Sequence, residues 1–468
     1  TAFGRGYGEE VDWCQKTRKA GARHVGLPTV FVEHRGGQSF GADAKHGLVL
    51  RANAMIARRY PAYDLEVQAY IGRDPLITPR LALAAAMAGE MSLDALPLFL
   101  AHAMGGGADH ALESEIAART AQGQFALVLR VGGPSRWQFE VHGPGGVVSG
   151  TTHDLSFIRR MLEPVPALRI VYSCGVGDTD PVALPGALLS LLRTGCPDRA
   201  EARLHDYFVI TPSYCLLNAD GAYRGPVLSG NPDPAHVARR PQGGHVPLSE
   251  WQAAWHRFLA RCDEITVFSE SSRRHLLASY PDLGDVVVYR PHGVIARIPE
   301  VRSSGQGASA EGTVAVLGNL NRQKGAGVLV SLAEGIARRG TGPRLVLIGN
   351  IDTRFTLPPS VRLHGSYDPS DIAHLAERYG VTAWLVPSIW PETFSFVTHE
   401  ALATGLPVYG FDIGAQGEAL RRAANGAAIP FDPDRDHAVA ILEAFDGRTG
   451  GRGAPDHAGR RALDDAAE

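Results

Sequence analysis

The sequence predicts an α/β protein built from two Rossmann-like domains. Short apolar runs typical of buried strands alternate with amphipathic runs typical of helices from about residue 78 to 295, and again from 313 to 446. Between the two series lies a small, polar stretch at 303–312 that is typical of a linker. We therefore expect two domains joined by a linker at 296–312.

Two further segments flank these domains. Residues 1–77 predict a smaller α/β unit, with a helix that starts near Glu9, a short strand at 30–32 and a helix at 47–60. Residues 447–468 are rich in Gly, Arg and Ala, which predicts a mobile tail.

The strands of the two domains are predicted from their apolar runs. In the first domain these runs lie at 98–102, 125–131, 169–173, 207–211, 264–269 and 286–289, with helices at 108–120 and 271–279. In the second domain they lie at 314–317, 344–348, 361–364, 383–386 and 408–411, with a helix at 395–404 that Gly405 ends.

The composition is that of an ordinary soluble globular protein, with 44% apolar and 20% charged residues. A net charge of −3 gives no reason to expect nucleic acid as a partner, and no apolar stretch reaches the roughly 18 residues of a membrane-spanning helix. Five widely spaced cysteines predict reduced thiols in a cytoplasm, and neither a disulfide framework nor a zinc site. The first residues do not resemble a signal peptide, and the missing initial Met is typical of a fragment.

A phosphate-binding loop is predicted after the strand at 314–317. Gly318 follows the strand, and Lys324 and Gly325 precede the next helix, so a glycine turn and a cation meet where a helix begins. Only four of the 46 basic residues are lysines, and Lys324 is the only lysine after position 45. Since Lys is a compact point charge, we expect its ammonium to bind a phosphate oxygen. The alternative is an ordinary strand–loop–helix turn.

Two acidic residues, Glu392 and Glu400, are separated by seven residues at a predicted helix start. Glu392 lies in the loop after the strand at 383–386, and Glu400 lies within the helix at 395–404. Ser395 is expected to cap this helix, whose free N–H groups and dipole favour a phosphate anion. Two carboxylates beside an anion site suit a nucleotide-sugar, in which hydroxyl groups flank a diphosphate. The alternative is a helix start with two solvated glutamates.

The segment 391–408 resembles the Glu-x7-Glu signature of the retaining glycosyltransferases of family 4, which have the GT-B fold. The resemblance covers roughly residues 96–445 and is strong only at 314–412. It implies that Glu392 is a catalytic residue that contacts the donor sugar and that Glu400 contacts the nucleotide ribose. The donor-binding residues that it implies are Gly318, Lys324, Thr393, Phe394, Ser395, Phe396 and Glu400.

One position departs from the pattern of that family. The family has an Arg directly after the first glycine of the phosphate loop, whereas this chain has Asn319 there. Arg322, three residues further along the donor loop, is the candidate for the missing charge.

The GT-B resemblance implies two domains that face each other across a cleft, with the acceptor on the side of the first domain. Gly105, Gly106 and Gly107 form a loop at the mouth of that domain where a ligand can approach the backbone closely. His205 is the candidate for a catalytic-site imidazole that faces the donor sugar, with His102 behind it. A plain turn and a structural histidine are the respective alternatives.

Residues 1–77 resemble the closing portion of a family 2 glycosyltransferase with the GT-A fold. By position, Glu10 would be the base of an inverting reaction and His34 a residue on the metal side. The front half of that fold, with its Asp-x-Asp metal site, has no counterpart in this sequence. We therefore expect an inert, vestigial GT-A site, in which Glu10 and its acidic neighbours favour the helix dipole.

Taken together, the residues and the resemblance predict a retaining glycosyltransferase. The expected donor is a nucleotide diphosphate sugar that carries a hexose or deoxyhexose, and the expected acceptor is a saccharide or lipid-linked saccharide, as in O-antigen or other surface-polysaccharide synthesis. No metal or other cofactor is expected at the GT-B site. We expect the protein in the cytoplasm, with peripheral association at the inner face of the membrane.

Two other functions are compatible with the same residues. A non-catalytic scaffold that binds a glycan or nucleotide is favoured slightly by Asn319 in place of Arg, and a GT-B epimerase would act on a free nucleotide-sugar. A nicotinamide dehydrogenase is disfavoured because neither glycine loop has the spacing and the ribose-binding acid of a dinucleotide site.

Overall fold

Two large β-sheets, one in each half of the chain, form the framework of the protein. A computed structural model describes residues 3, 7–27, 30, 32, 42–293, 297–301, 308 and 312–447. Both sheets are mainly parallel and their strands alternate with helices, which confirms the predicted α/β fold with two Rossmann-like domains. Within these ranges no helix is long and apolar enough to cross a bilayer. Ten of the seventeen residues of the predicted linker at 296–312, and the predicted tail from residue 448 onward, lie outside the described residues.

In the described part of the chain, four helices precede the first sheet: α1 (Glu9–Lys19), α2 (Ala42–Arg59), α3 (Tyr63–Arg73) and α4 (Ile77–Met91). Asp12 ties α1 to the end of α2, because its carboxylate accepts hydrogen bonds from Tyr60 (2.7 Å) and Arg59 (2.9 Å). The predicted strand at 30–32 is wrong where it can be judged, since Val30 and Val32 are exposed and belong to no strand. The described residues of this unit are therefore helices and loops, and not the α/β arrangement that was expected.

Ten strands lie in the first domain as far as the structure describes it, up to residue 293. They are β1 (Leu96–His102), β2 (Ala126–Val131), β3 (Trp137–Gly143), β4 (Gly146–Thr152), β5 (Leu168–Tyr172), β6 (Arg199–Arg203), β7 (Ala238–Arg239), β8 (His245–Val246), β9 (Glu264–Val267) and β10 (Val287–Tyr289). Eight of them form one sheet in the order β10-β9-β6-β5-β1-β2-β3-β4, while β7 and β8 pair separately. The pairs β2–β3 and β3–β4 are antiparallel and the other pairs of the large sheet are parallel.

The helices of the first domain connect and cover these strands. They are α5 (Gly107–Ala121), α6 (Leu155–Leu162), α7 (Leu184–Leu191), α8 (Leu248–Leu259) and α9 (Glu270–Ser279), with short 3-10 helices at Pro234–His236 and Pro281–Val286. Helix α4 also belongs to this layer, because its buried residues Leu81, Ala85 and Ala88 pack into the core of the first sheet.

The predicted strand at 207–211 is wrong, since these buried residues form a turn after β6. Side chains and local backbone N–H groups, and not a neighbouring strand, satisfy carbonyl groups of the segment. Trp251 donates to the carbonyl of Phe208 (3.0 Å), and Tyr280 donates to that of Val209 (2.6 Å). The apolar run is therefore buried without being part of the sheet.

The second sheet is wholly parallel and has the order β13-β12-β11-β14-β15-β16. Its strands are β11 (Thr313–Leu317), β12 (Arg344–Ile348), β13 (Val361–Gly365), β14 (Ala383–Val386), β15 (Val408–Phe411) and β16 (Gly426–Ile429). Its helices are α10 (Ala326–Arg339), α11 (Ile372–Tyr379), α12 (Phe396–Ala403), α13 (Gly414–Arg422) and α14 (His437–Phe445), with a 3-10 helix at Pro369–Asp371. The five strands predicted here are confirmed, and β16 was missed.

Each sheet has one point where the strand order reverses direction. In the first sheet it lies between β1 and β5, and in the second between β11 and β14. The carboxyl ends of the two strands at such a point leave a crevice in which ligands of open α/β sheets bind. The loops after β1, β5, β11 and β14 are therefore the places to look for a site.

Candidate active site

The two loops at the switch point of the second sheet pack directly against each other. Gly325, in the loop after β11, has a φ of +83°, and a β-carbon there would lie 2.1 Å from the carbonyl oxygen of Pro387, in the loop after β14. The N–H of Ile389 donates to the carbonyl of Gln323 (3.0 Å). The sequence-predicted phosphate loop and the segment that contains Glu392 are thus held together through their backbones.

Lys324 and Glu400 meet beside these loops. Lys324 is half-buried, and its N–H donates to the side-chain oxygen of Asn321 (3.0 Å). Burial raises the pKa of the Glu400 carboxyl, and the nearby Lys324 ammonium opposes that rise. Tyr367 lies close as well, since burial and the Glu400 charge both raise the pKa of its hydroxyl. The structure therefore brings the predicted cation and the second predicted acid into one cluster.

Glu392 is buried, with 4% of its surface exposed, and hydrogen bonds fix both its side chain and its backbone. The Ser388 hydroxyl donates to its Oε1, whereas its Oε2 forms no hydrogen bond with any described residue. Its backbone is fixed by helix α13, because its N–H donates to Gln416 Oε1 (3.1 Å) and its carbonyl accepts from the N–H of Ala415 (2.8 Å). The carboxylate is thus oriented while one oxygen is left for a ligand.

Helix α12 starts without the side-chain cap that the sequence predicted. Ser395 has a φ of +64°, and its hydroxyl bonds to that of Thr398 (2.7 Å) and to no backbone N–H. Within the described residues, the N–H groups of Phe396 and Val397 have no hydrogen-bond acceptor. The correction strengthens the anion-binding expectation, because an uncapped start leaves more donors free. The predicted end is confirmed, since Gly405 has a φ of +77°.

The glycine loop of the first domain reaches the start of α12. Gly105 and Gly106 have φ values of +70° and +100°, and a β-carbon at Gly107 would lie 3.0 Å from the ring of Phe396. Arg130 fixes this loop, because its guanidinium donates to the carbonyl of His102 (3.1 Å) and pairs with Asp109 (2.5 Å). Gly105, Gly106 and Gly107 therefore lie at the domain interface, beside the start of α12.

His205 joins the two domains through its backbone. The Thr393 hydroxyl donates to the His205 carbonyl (2.8 Å). The imidazole lies beside the rings of Phe268 (4.7 Å between centroids) and His292 (5.3 Å). Burial, followed by neighbouring positive charges, holds the pKa of His205 well below its usual value, so the ring is neutral at pH 7.

A small cavity of about 120 Å³ adjoins the His205 imidazole, with Ser173, Arg203 and Glu115 among its lining residues. Phe394 lies elsewhere, in the wall of an interdomain cavity of about 380 Å³, where it stacks on His399 (4.4 Å). Lys324, Glu392 and Glu400 line neither of these two cavities.

Two residues predicted for donor binding have other partners. The Arg322 guanidinium donates to the carbonyl of Asp220 in the first domain (2.7 Å) and lines a separate interdomain cavity. The side-chain oxygen of Asn319 accepts from the N–H (3.2 Å) and the amide (3.1 Å) of Asn350, which follows β12. Asn319 thus joins the ends of two strands, and the structure does not bring Arg322 to the Lys324–Glu400 cluster.

The vestigial GT-A site cannot be assembled from the described residues. Glu10 is exposed in the first turn of α1, with Glu9 and Asp12 beside it, as helix-dipole acids would be. His34 lies outside the described residues. In the described ranges no group of three His, Cys, Asp or Glu side chains is arranged to hold a metal ion.

The sequence analysis missed Asp206, which lies next to His205 at the carboxyl end of the first sheet. Asp206 is buried and accepts hydrogen bonds from the Cys174 thiol (2.8 Å) and from the N–H of Phe208 (2.8 Å). Burial raises the pKa of Asp206 to about 6, because its effect is larger than the lowering effect of the two hydrogen bonds. In the sequence, only the neighbouring His205 could have indicated Asp206 as a site residue. Its hydrogen-bond partner Cys174 is 32 positions away and gives no local signal.

We expect Asp206→Asn to stabilise the protein at neutral and alkaline pH. A carboxyl whose pKa is raised on folding destabilises the folded state above that pKa, and the penalty fades as pH falls from about 6 to the unfolded value near 4. The melting temperature should therefore rise by a few degrees at about pH 8 and change little at about pH 4.5.

Asp198 provides the opposite control. Arg193 and backbone N–H groups donate to its carboxylate, and its pKa is lowered although burial opposes this. Asp198→Asn should lower the melting temperature at about pH 8, and the loss should shrink as pH falls through the folded pKa. Equal destabilisation by Asp206→Asn at both pH values would contradict the expectation for Asp206.

Comparison with protein families gives a match in the second domain only. Residues 299–450 match the family model described as glycosyl transferases group 1. A comparison with curated proteins found no match.

Several solved structures have a remote likeness to the chain. Sucrose-phosphate synthase from Thermosynechococcus elongatus is 15% identical over 75% of this chain and 90% of that chain, with a TM-score of 0.46. Anabaena HepE in complex with UDP is 14% identical over 74% and 88%, with a TM-score of 0.45. Pneumococcal O-GlcNAc transferase GtfA, in complex with UDP and GlcNAc, is 14% identical over 66% and 56%, with a TM-score of 0.41. At such low similarity we base no assignment of donor or acceptor on these structures.

Proposed function

We propose that this chain is a retaining glycosyltransferase that moves a hexose or deoxyhexose from a nucleotide diphosphate sugar to a saccharide or lipid-linked saccharide. The observation that carries the proposal is the meeting of loop 318–324 with segment 392–400 at the switch point of the second sheet. A lysine, an uncapped helix start and two acidic side chains suit a diphosphate flanked by hydroxyl groups. The family match over residues 299–450 supports the same activity.

Each part of the donor has a proposed partner. The Lys324 ammonium and the free N–H groups of Phe396 and Val397 bind the diphosphate, helped by the dipole of α12. The Glu400 carboxylate accepts hydrogen bonds from the ribose. Glu392 Oε2, which is free of protein partners among the described residues, binds a hydroxyl of the donor sugar.

The loop between the two acids and the first domain complete the proposed site. Thr393, Phe394 and Ser395 shape the loop that follows Glu392, and Ser395 holds the positive φ that turns it into α12. The neutral His205 imidazole donates a hydrogen bond to a sugar hydroxyl. Gly105, Gly106 and Gly107 admit the acceptor beside the start of α12.

In the proposed reaction the bond between the anomeric carbon and the diphosphate oxygen breaks, and an acceptor hydroxyl oxygen bonds to the same face of that carbon. The proton of the acceptor hydroxyl passes to the departing diphosphate, so no protein carboxylate needs to take it. The protein then positions the two substrates and stabilises the leaving diphosphate with Lys324 and the helix start. We accordingly propose that transfer at this site needs no metal ion or other cofactor.

We further propose family 4 membership and an acceptor that is a growing surface polysaccharide or glycolipid, met at the inner face of the membrane by a peripherally bound enzyme. The N-terminal resemblance to a second transferase type supports a role in polysaccharide assembly, with residues 1–77 as an inactive remnant.

A screen of nucleotide diphosphate sugars tests the proposed function. We expect one of these donors, and not the matching free sugar, to raise the melting temperature, because it binds only the folded state. With a saccharide acceptor the same donor should yield a glycosidic product of unchanged anomeric configuration, detected by NMR. Glu400→Gln should weaken donor binding without lowering the unliganded melting temperature, since burial raises the pKa of the Glu400 carboxyl and its side chain has no hydrogen bond to a described residue that could be lost.

The other outcomes of the screen correspond to the two alternatives. Donor binding without transfer or hydrolysis would favour the non-catalytic scaffold, which Asn319 in place of Arg also favours. Conversion of the donor without any acceptor would favour an epimerase. Absence of any donor-dependent shift in melting temperature would contradict the proposed function.

A further inference from the structure

A cavity of about 390 Å³ lies between the two domains, apart from the Lys324–Glu400 cluster. The first domain contributes Tyr223, Ser271, Arg274 and His275 to its wall, and the second contributes Asp412 and Arg421. The cavity is large enough for a small polar metabolite. Nothing in the proposed glycosyl transfer uses these side chains.

One side chain in the wall lacks a partner that it needs. His275 is 6% exposed, and its Nδ1 is buried without a hydrogen-bond partner among the described residues. Its other ring nitrogen, Nε2, is satisfied by the Tyr223 hydroxyl at 3.0 Å. A buried polar atom without a partner costs stability, so Nδ1 would gain a partner from a ligand bound at this wall.

The charges of the wall favour an anion. Arg274 has 73% of its side chain exposed, and its nearest carboxylate, Glu418, is 3.8 Å away. Glu418 is itself occupied, because it accepts hydrogen bonds from the N–H groups of Ser271 (2.6 Å) and Glu270 (3.2 Å). Arg421 pairs with Asp412, and the contact of Arg274 with Glu418 is long, so two arginines face one carboxylate in the wall of the cavity.

We propose that this cavity binds phosphate, either as inorganic phosphate or as the phosphate group of a small monoester. Guanidinium groups bind phosphate oxygens through paired N–H groups, and Arg274 and Arg421 offer them from opposite domains. The imidazole Nδ1 of His275 and the Ser271 hydroxyl, which has no hydrogen bond to a described residue, remain for a further oxygen of the ligand or for its hydroxyl groups.

The wall of the cavity also includes backbone that packs against the backbone of Glu392. Gly414, in its wall, has a φ of +58°, and a β-carbon there would lie 2.5 Å from the N–H nitrogen of Glu392. A ligand that bridges Arg274 and Arg421 would hold the two domains together at this point, one peptide away from Glu392. Phosphate bound in this cavity could therefore change the position of the segment 392–400.

Calorimetric titration with inorganic phosphate and with glycerol 3-phosphate at constant ionic strength tests the proposal. We expect the wild-type chain to bind at least one of these probes and Arg274→Met to weaken binding by about tenfold or more, as for a lost charged hydrogen bond. Tighter binding of glycerol 3-phosphate would assign the site to a monoester, and binding no tighter than phosphate would assign it to the free ion.

Two further variants separate this cavity from the proposed donor site. Lys324→Met should retain phosphate binding, whereas Arg338→Met, which alters an exposed arginine of α10, is the matched control for Arg274→Met. Arg421→Met, which removes the guanidinium that the second domain contributes, should also weaken phosphate binding. Loss of phosphate binding in Lys324→Met, retention in Arg274→Met, or no binding of either probe by the wild-type chain at millimolar concentrations would overturn the proposal. None of these results depends on glycosyl transfer, so the proposed function stands or falls separately.

Discussion

Replacing Lys324 with Met should lower the turnover of the donor by about 100- to 1,000-fold, the range seen when one preorganised group that stabilises a developing anion is removed. The ammonium is half-buried between the phosphate loop and Glu400, and no other lysine follows position 45 in the sequence. In the proposed reaction it stabilises the departing diphosphate more than the bound donor. The fall should therefore appear mainly in kcat and less in KM.

The same substitution should change how donor binding depends on pH. Burial raises the pKa of Glu400 and Lys324 opposes that rise, so removal of the ammonium should raise this pKa further. Because the ribose-binding form of Glu400 is the carboxylate, donor affinity should fall as pH decreases through its pKa. In Lys324→Met this fall should begin at a higher pH than in the wild-type chain, and in Glu400→Gln it should be absent.

Dissociation constants of the donor, measured over a series of pH values with kcat beside them, check both expectations. Arg338→Met is again the control, because it removes a cation from the exposed surface of the helix that follows Lys324. Wild-type kcat in Lys324→Met, or an acid limb of donor binding that does not move, would show that the ammonium does not bind the diphosphate.

The second sheet could be predicted well because its central strands bury both faces. The runs at 314–317 and 383–386 are continuously apolar and end at glycine or proline, which is the pattern of a central parallel strand. The first sheet contains strands without that pattern. In β6, Arg199–Arg203, only two alanines are buried, and the alternating charged residues face ion-pair partners such as Arg169.

The segment 207–211 was wrongly predicted as a strand for the opposite reason, because it has the apolar pattern of a strand without being one. The run is apolar and fully buried, yet tertiary hydrogen bonds from Trp251 and Tyr280 satisfy two of its carbonyl groups. Periodicity reports burial and cannot report which groups satisfy the backbone. A buried loop held by distant side chains therefore looks the same in sequence as a strand.

The residues of the candidate site also differ in whether local sequence could predict them. Lys324, Glu392 and Glu400 could be proposed from sequence because each lies next to a strand end or a helix start, and local order fixes such positions. The hydrogen bond from Thr393 to the His205 carbonyl joins residues 188 positions apart, and the cavity at Arg274 and Arg421 joins two domains. Such contacts depend on how the domains pack, which a single sequence does not reveal.

Gly325→Ala should be among the most destabilising single substitutions in the second domain. A β-carbon at Gly325 would lie 2.1 Å from the carbonyl oxygen of Pro387, and the residue has a φ of +83°. The carbonyl belongs to the backbone that follows β14, so it can yield only if the two loops at the switch point separate. We expect a loss of more than about 3 kcal/mol, since overpacking and backbone strain add.

Gly340→Ala is the matched control at the other end of the same helix. Gly340 has a φ of +71° as the residue that ends α10, but a β-carbon there would meet no heavy atom within 4 Å. Its replacement should cost only about 1 kcal/mol, which is the penalty of the left-handed conformation alone. The difference between the two variants in thermal unfolding thus measures the close approach of the loops at Gly325. If the folded Gly325→Ala protein also loses donor binding while Gly340→Ala keeps it, that approach holds Lys324 against the Glu392 segment; equal effects of the two substitutions would contradict this.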